Sequence, residues 1–175
     1  MTESLITINV RYAEQIALVA CVGQKLDHPA PAADLYQSVW FKKARRYAEL
    51  VADRWYILSA HHHLVDPAAI IAPYDFTLAQ ASGSYRRRWS ANVLHDLIHH
   101  ITLQDQITIL AGKPYHACLA RWLQALGYTI EIPMQGLGIG QQLRWLNQQI
   151  EYLISNTQHP AHITNSYLPT LESRL

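Results

Sequence analysis

The chain has 175 residues, half of them apolar or aromatic and 15% charged, which suits one globular domain and excludes a disordered polymer. Fourteen Lys and Arg against thirteen Asp and Glu leave a formal charge of +1, so no global basic field advertises a nucleic-acid partner. Ten histidines make that balance responsive to acid. The two cysteines, Cys21 and Cys118, fall in different predicted elements and form no Cys-x-x-Cys pair, so neither a zinc ribbon nor a disulfide framework is expected. The start Met-Thr-Glu-Ser lacks a basic, then apolar, leader, and no apolar run approaches the roughly 18–20 residues of a membrane span. A cytoplasmic protein with reduced thiols and no membrane partner is expected.

Ile6, Ile8 and Val10 alternate with Thr7 and Asn9, the period of a short leading strand. The run from Ile16 to Cys21 is continuously apolar and breaks at Gly23, which reads as a strand buried on both faces. Leu26 to Asp34 is a polar loop kept from helix by Pro29 and Pro31, and Asp34 is placed to cap a helix to about Val51. Arg54 to Ala60 is a second strand, and residues 61–75 form a long ordered loop with two prolines. Ser84 is expected to cap a helix to about Ile101, with Trp89, Val93, Leu97 and Ile101 four apart. A strand at Gln106–Leu110, a helix at Pro114–Leu126 capped by Gly127, a strand at Thr129–Ile132 and a helix at Gln141–Ile154 complete the pattern. The alternation predicts a single α/β domain over residues 1–154, a layered, mainly parallel sheet flanked by helices. Residues 155–175 are expected to be an irregular tail packed on the body or on a second subunit, which makes a homodimer one of the expected partnerships.

Strand ends are where open α/β sheets place ligands, so the candidate chemistry gathers there. Cys21 reads either as a nucleophile for an electrophilic carbon or as a small core residue. Gln24 and Lys25, after the turn, read as an anion or substrate site or as ordinary surface. His61, His62 and His63 follow the second strand; in an extended segment His61 and His63 would share a face, and no third zinc ligand stands at a recognisable spacing. The loop reads first as a polar segment with one functional imidazole, and a metal-dependent hydrolase built on His61 to His63 stays as a third reading; no metal and no cofactor is the expectation. Tyr74 and Asp75 combine an aromatic face with a carboxylate, able to stack a base and read its amino edge, or simply to make a turn. Arg86, Arg87 and Arg88 suit phosphate or a solvated helix start, and Gly112 and Gly138 open helices whose N–H groups favour anions. Cys118, on the apolar face of a helix, reads as packing.

The segments Leu-Val-Ala-Cys-Val-Gly-Gln-Lys-Leu, Ala-Asp-Leu-Tyr-Gln-Ser-Val-Trp-Phe, Trp-Tyr-Ile-Leu-Ser-Ala-His-His-His-Leu-Val-Asp-Pro, Ile-Ala-Pro-Tyr-Asp and Gly-Leu-Gly-Ile-Gly-Gln-Gln carry a resemblance over roughly Ile16 to Trp145. The chain resembles an uncharacterised bacterial family related in pattern to YaaA-like proteins and to the core domain of archaeosine synthases and deazapurine DNA-modification proteins. YaaA-like proteins are linked to DNA binding and peroxide stress, and the deazapurine relatives act on the nitrile of a cyano-deazaguanine base. The resemblance places Cys21 and Lys25 on the family's cysteine-turn-lysine, Ser59 and His61 after the second strand, and Tyr74 and Asp75 on the loop motif. The chain departs from it at Val22-Gly23-Gln24 and at His61-His62-His63, both inside the expected site.

The expected function is an enzyme directed at a nucleobase, nucleotide or nucleic acid. Cys21 would attack, His61 would supply a proton, Gln24, Lys25, Ser59, Tyr74 and Asp75 would bind substrate, and Arg86 to Arg88 with Gly112 and Gly138 would hold phosphate. The rival from a different class is a non-catalytic nucleotide- or DNA-binding module in stress response or phage defence.

Overall fold

The computed structural model describes residues 12–157. The leading strand expected at Ile6–Val10 and all but the first three residues of the expected tail lie outside this span. In chain order the described elements are β1 (Gln15–Ala20), β2 (Ala30–Pro31), α1 (Ala32–Leu35), α2 (Val39–Val51), β3 (Arg54–Ser59), β4 (His63–Val65), β5 (Ile70–Ile71), α3 (Gly83–Leu97), β6 (Gln106–Leu110), α4 (Lys113–Ala125), β7 (Thr129–Glu131) and α5 (Ile139–Thr157).

The sheet has the order β4-β3-β1-β6-β7, with β3, β1, β6 and β7 parallel and β4 antiparallel at one edge. β1 is central and takes no water on either face: Ile16 to Ala20 are all buried, as the unbroken apolar run requires. Burying Ile16, Leu18 and Val19 contributes about 1.5–3 kcal/mol each, so this strand anchors the core. Its amino end is fixed by carboxylates, since Asp53 accepts from Gln15 N at 2.7 Å and the buried Asp105 accepts from Glu14 N at 2.9 Å. α2 packs with α5, and α3 packs with α4. The chain is therefore a single α/β domain with a mixed, mainly parallel sheet flanked by helices.

Several local expectations are corrected. The helix expected from Asp34 is two helices, because Tyr36 turns extended and bridges Lys25; Ser38 then caps α2 by accepting from Phe41 N at 3.1 Å. Asp34 instead pairs with Arg45 at 2.7 Å. Ser82, not Ser84, caps α3, accepting from Tyr85 N, and α3 ends at Leu97, four residues before Ile101. Residues 61–75 are not one loop. β3 and β4 make a hairpin through Ala60-His61-His62, and β5 pairs with β2 in a small second sheet. α5 runs to Thr157, so the first residues of the expected irregular tail are helical. Gly127, at φ +90°, does end α4 in the left-handed conformation expected of it.

Candidate functional site

After β1 the chain crosses to β3 on one side, and after β6 it crosses to β7 on the other. The carboxyl ends of β1 and β6 therefore flank the point where the winding reverses, the place where open α/β sheets form a crevice. Cys21 follows the last residue of β1, and Ala111-Gly112 follows β6. Between them opens a cavity of about 480 Å³ whose lining includes Cys21, Lys25, Trp40, Asp75, Phe76 and Tyr115.

The turn that delivers Lys25 depends on Gly23, at φ +79°, where an added Cβ would meet Ser38 Cβ at 2.9 Å. Beyond it, the Leu26 N–H donates to Leu35 and the Gln37 N–H to Gln24, so residues 24–26 run antiparallel to 35–37. The β2–β5 pairing and the bond from Ala32 N to the Ala69 carbonyl hold this segment against the one leading to Tyr74. Two long connections are thereby zipped together above the strand ends.

Their product is a hydroxyl network centred on sulfur. Cys21 Sγ, only 6% exposed, receives the Tyr74 hydroxyl at 3.3 Å and the Ala60 backbone N–H at 3.3 Å, and lies 3.5 Å from the Tyr115 hydroxyl. The Tyr74 oxygen lies 2.9 Å from Ser59 Oγ and 3.1 Å from the Tyr36 hydroxyl. Because Tyr74 has one proton and gives it to sulfur, Ser59 and Tyr36 must donate to Tyr74. Ser59 Oγ in turn accepts from His62 N at 3.0 Å. Burial first, and then the neighbouring Cys21 sulfur, push the Tyr36 phenol up to about 12, and the same two causes push Tyr74 and Tyr115 upward. All three keep their hydroxyl protons at neutral pH, so Tyr74 remains a donor to the sulfur.

The sequence-predicted residues distribute unevenly around this centre. Cys21, Lys25 and Asp75 line the cavity together. Ser59 is fully buried and acts by holding Tyr74, not by meeting a ligand. The Tyr74 ring is occupied, with Lys25 Nζ 4.3 Å from its centroid and the His61 ring stacked at 5.2 Å, so it is not an open platform for a base. His61 reaches the network only through that ring and is itself exposed. The expectation that His61 and His63 share a face fails because the three histidines sit in a hairpin turn. His61 and His62 both contact Tyr74, while His63, at φ +62°, turns to Asn92 at 3.1 Å. Gln24 is exposed, and its carbonyl serves the backbone pairing.

The arginine run does not act as one clamp. Arg86 donates to the Leu78 and Ala79 carbonyls, pinning the loop before α3, and Arg88 lies over Tyr85. Arg87 lines a separate 280 Å³ cavity with Lys113, Cys118 and Arg121, which also makes Cys118 a half-buried lining residue and not pure core. Gly112 and Gly138 both line a third cavity of about 760 Å³, although the Gly138 N–H is already given to Gln141 Oε1. This cavity shares Gly112 and Gln142 with the Cys21 cavity. Among the described residues, no group of three or more His, Cys, Asp or Glu side chains is placed to hold a metal ion. No described helix is long and apolar enough to cross a membrane.

Two residues of the centre carried no expectation of their own, Tyr36 and Tyr115. Tyr115 had a local signal, standing three residues after Gly112 at the exit of a core strand. Tyr36 had none, since its role depends on the antiparallel return against Lys25.

The chain belongs to a family of unknown function (DUF6884), whose sequence profile matches residues 16–148. That span includes β1 through most of α5, and so the whole of the site just described. No curated protein matches the chain, and no solved structure matches it.

Proposed function

We propose that this member of the family is an enzyme in which Cys21 attacks an electrophilic carbon of a nucleobase-like ring. The observation that carries the reading is the convergence of the Tyr74 hydroxyl, the Tyr115 hydroxyl and the Ala60 N–H on one sulfur at the winding reversal of the sheet. The adjoining cavity suits a flat heterocycle: Trp40, Phe76 and Tyr115 give it aromatic walls, and Asp75 offers an acceptor for ring amino groups. The likeness to deazapurine-modifying proteins favours a nitrile as the carbon attacked. In that step the Cys21 sulfur bonds to the nitrile carbon, a π pair moves to nitrogen, and nitrogen takes a proton, giving a thioimidate with no oxidant or leaving group. Tyr115 and Tyr74, next to the sulfur, replace the exposed His61 as proton donors.

The test is intact-mass analysis after incubation with a cyano-deazapurine. The expected result is an adduct equal to the mass of the probe on the unmodified protein and none on Cys21→Ala, with circular dichroism unchanged. Absence of an adduct, together with a melting temperature that the probe leaves unmoved, would sink the reading. The non-catalytic binding module predicts that Cys21→Ala binds nucleotide as well as the parent does and that neither protein forms an adduct.

A further inference from the structure

We infer that the cavity containing His116 is an anion subsite, which takes the phosphate of a nucleotide whose base occupies the Cys21 cavity. The inference rests on the proposed function for the base and goes beyond it in naming the substrate class: a phosphorylated unit, not a free base.

Four observations meet there. The cavity holds about 760 Å³, and it joins the Cys21 cavity along Gly112 and Gln142. Lys113, His116 and Arg121 line it, and no Asp or Glu does so among the described residues. His116 is only 7% exposed, yet its ring has no hydrogen-bond partner among the described residues. Ser90 Oγ is the only fully buried side-chain polar atom without a partner among the described residues, so the His116 ring nitrogens keep surface open to the cavity, where a ligand can replace water as their partner. Finally, α4 begins at this cavity with Gly112 as its cap; Pro114 has no N–H and the Tyr115 and His116 N–H groups donate to the Gly112 carbonyl, which leaves the Lys113 N–H and the helix dipole at that end. That end carries the positive pole of a 13-residue helix.

The three side chains divide the work. Lys113 and Arg121 are exposed, carry no ion pair among the described residues, and also line the neighbouring 280 Å³ cavity, so they form a cationic rim. His116 lies deeper. Burial, and then the charge of Lys113, push its pKa down, so at neutral pH it is an uncharged ring with one N–H to donate to a phosphate oxygen. The chain's small net charge does not oppose this, because the positive groups are concentrated locally.

The experiment follows the imidazole nitrogens of His116 by NMR while inorganic phosphate, guanosine and guanosine 5′-monophosphate are added in turn. Phosphate and the monophosphate are expected to shift the His116 signals, and the monophosphate to bind at least about tenfold more tightly than guanosine. The double substitution Lys113→Ala, Arg121→Ala, at exposed positions, is expected to bring the monophosphate down to the affinity of guanosine. His116 signals that stay fixed in millimolar phosphate, or equal affinities for nucleoside and nucleotide on the parent protein, would overturn the subsite. Repeating the titration in Cys21→Ala separates the two claims. A phosphate-dependent shift retained there supports the subsite even if no adduct ever forms at Cys21.

Discussion

The Tyr74 hydroxyl donates to Cys21 Sγ at 3.3 Å across 53 positions of sequence, and the same oxygen collects the hydroxyls of Ser59 and Tyr36. Tyr74 is therefore the hub through which two loops and two strand ends act on one sulfur. Tyr74→Phe deletes that hub and leaves two buried hydroxyls without an acceptor. A loss of about 1–3 kcal/mol in unfolding free energy is expected, read from urea denaturation. Alkylation of Cys21 is expected to slow in the same variant; a reactivity equal to the parent's would show that the phenol does nothing for the sulfur.

The turn after β1 admits only glycine at its bend. Gly23→Ala would place a Cβ 2.9 Å from Ser38 Cβ at φ +79°. The left-handed conformation alone costs about 1–2 kcal/mol for a residue with a Cβ. The clash adds to this and pushes on the cap of α2. The expected outcome is a lowered melting temperature together with a weakened Lys25–Tyr74 contact, visible as a change in tyrosine fluorescence. An unchanged melting temperature would mean that the turn is looser than described.

Four of the ten tyrosines, Tyr36, Tyr47, Tyr74 and Tyr115, have pKa values raised above the ordinary one, and the three around Cys21 test the network. Tyr36, Tyr74 and Tyr115 have folded-state pKa values raised above the ordinary value near 10, chiefly by burial. A raised value means that the folded state holds its proton longer than the unfolded chain. The stabilisation is complete below pH 10 and is lost as pH climbs toward the folded values, the lowest of which is about 12 for Tyr36. Absorbance at the phenolate band should show these tyrosines silent at pH 10.5–11 and released together on unfolding. Smooth titration of all ten in the native protein would contradict the network.

Ser90 offers a test remote from the site. Its hydroxyl is buried in α3 without a hydrogen-bond partner among the described residues. Ser90→Ala removes an unpaired polar atom and is expected to raise stability by about 1 kcal/mol, measured as a shift of the urea midpoint. A destabilised variant would mean that the hydroxyl is satisfied after all.

What could be read from the sequence was what depends on local pattern. The unbroken run Ile16–Cys21 named the central strand, and Gly112-Lys113-Pro114 named the start of α4, because burial on both faces and helix-start chemistry leave marks within a few residues. The rule for strand ends places Cys21 and Lys25 at the crevice they line, whereas Asp75 reaches the same cavity from a loop after β5. What stayed hidden were long-range pairings. Nothing near Tyr36 signals its bridge to Lys25, nothing in His61-His62-His63 marks a hairpin turn instead of an extended strand, and a two-residue strand such as β5 is too short to carry a period. For Tyr74 the sequence suggests a base platform. Its filled ring faces and its hydroxyl contacts emerge only once the two loops are zipped together.

The most direct measurement compares the alkylation rates of the two cysteines by peptide mass spectrometry on the folded protein. Cys118 is the more exposed of the pair, so accessibility alone would make it react first. Activation by the surrounding donors predicts the reverse: Cys21 modified faster than Cys118, with the difference collapsing in denaturant. Modification of Cys118 first, with Cys21 protected until the protein unfolds, would show a sealed core thiol and contradict the account.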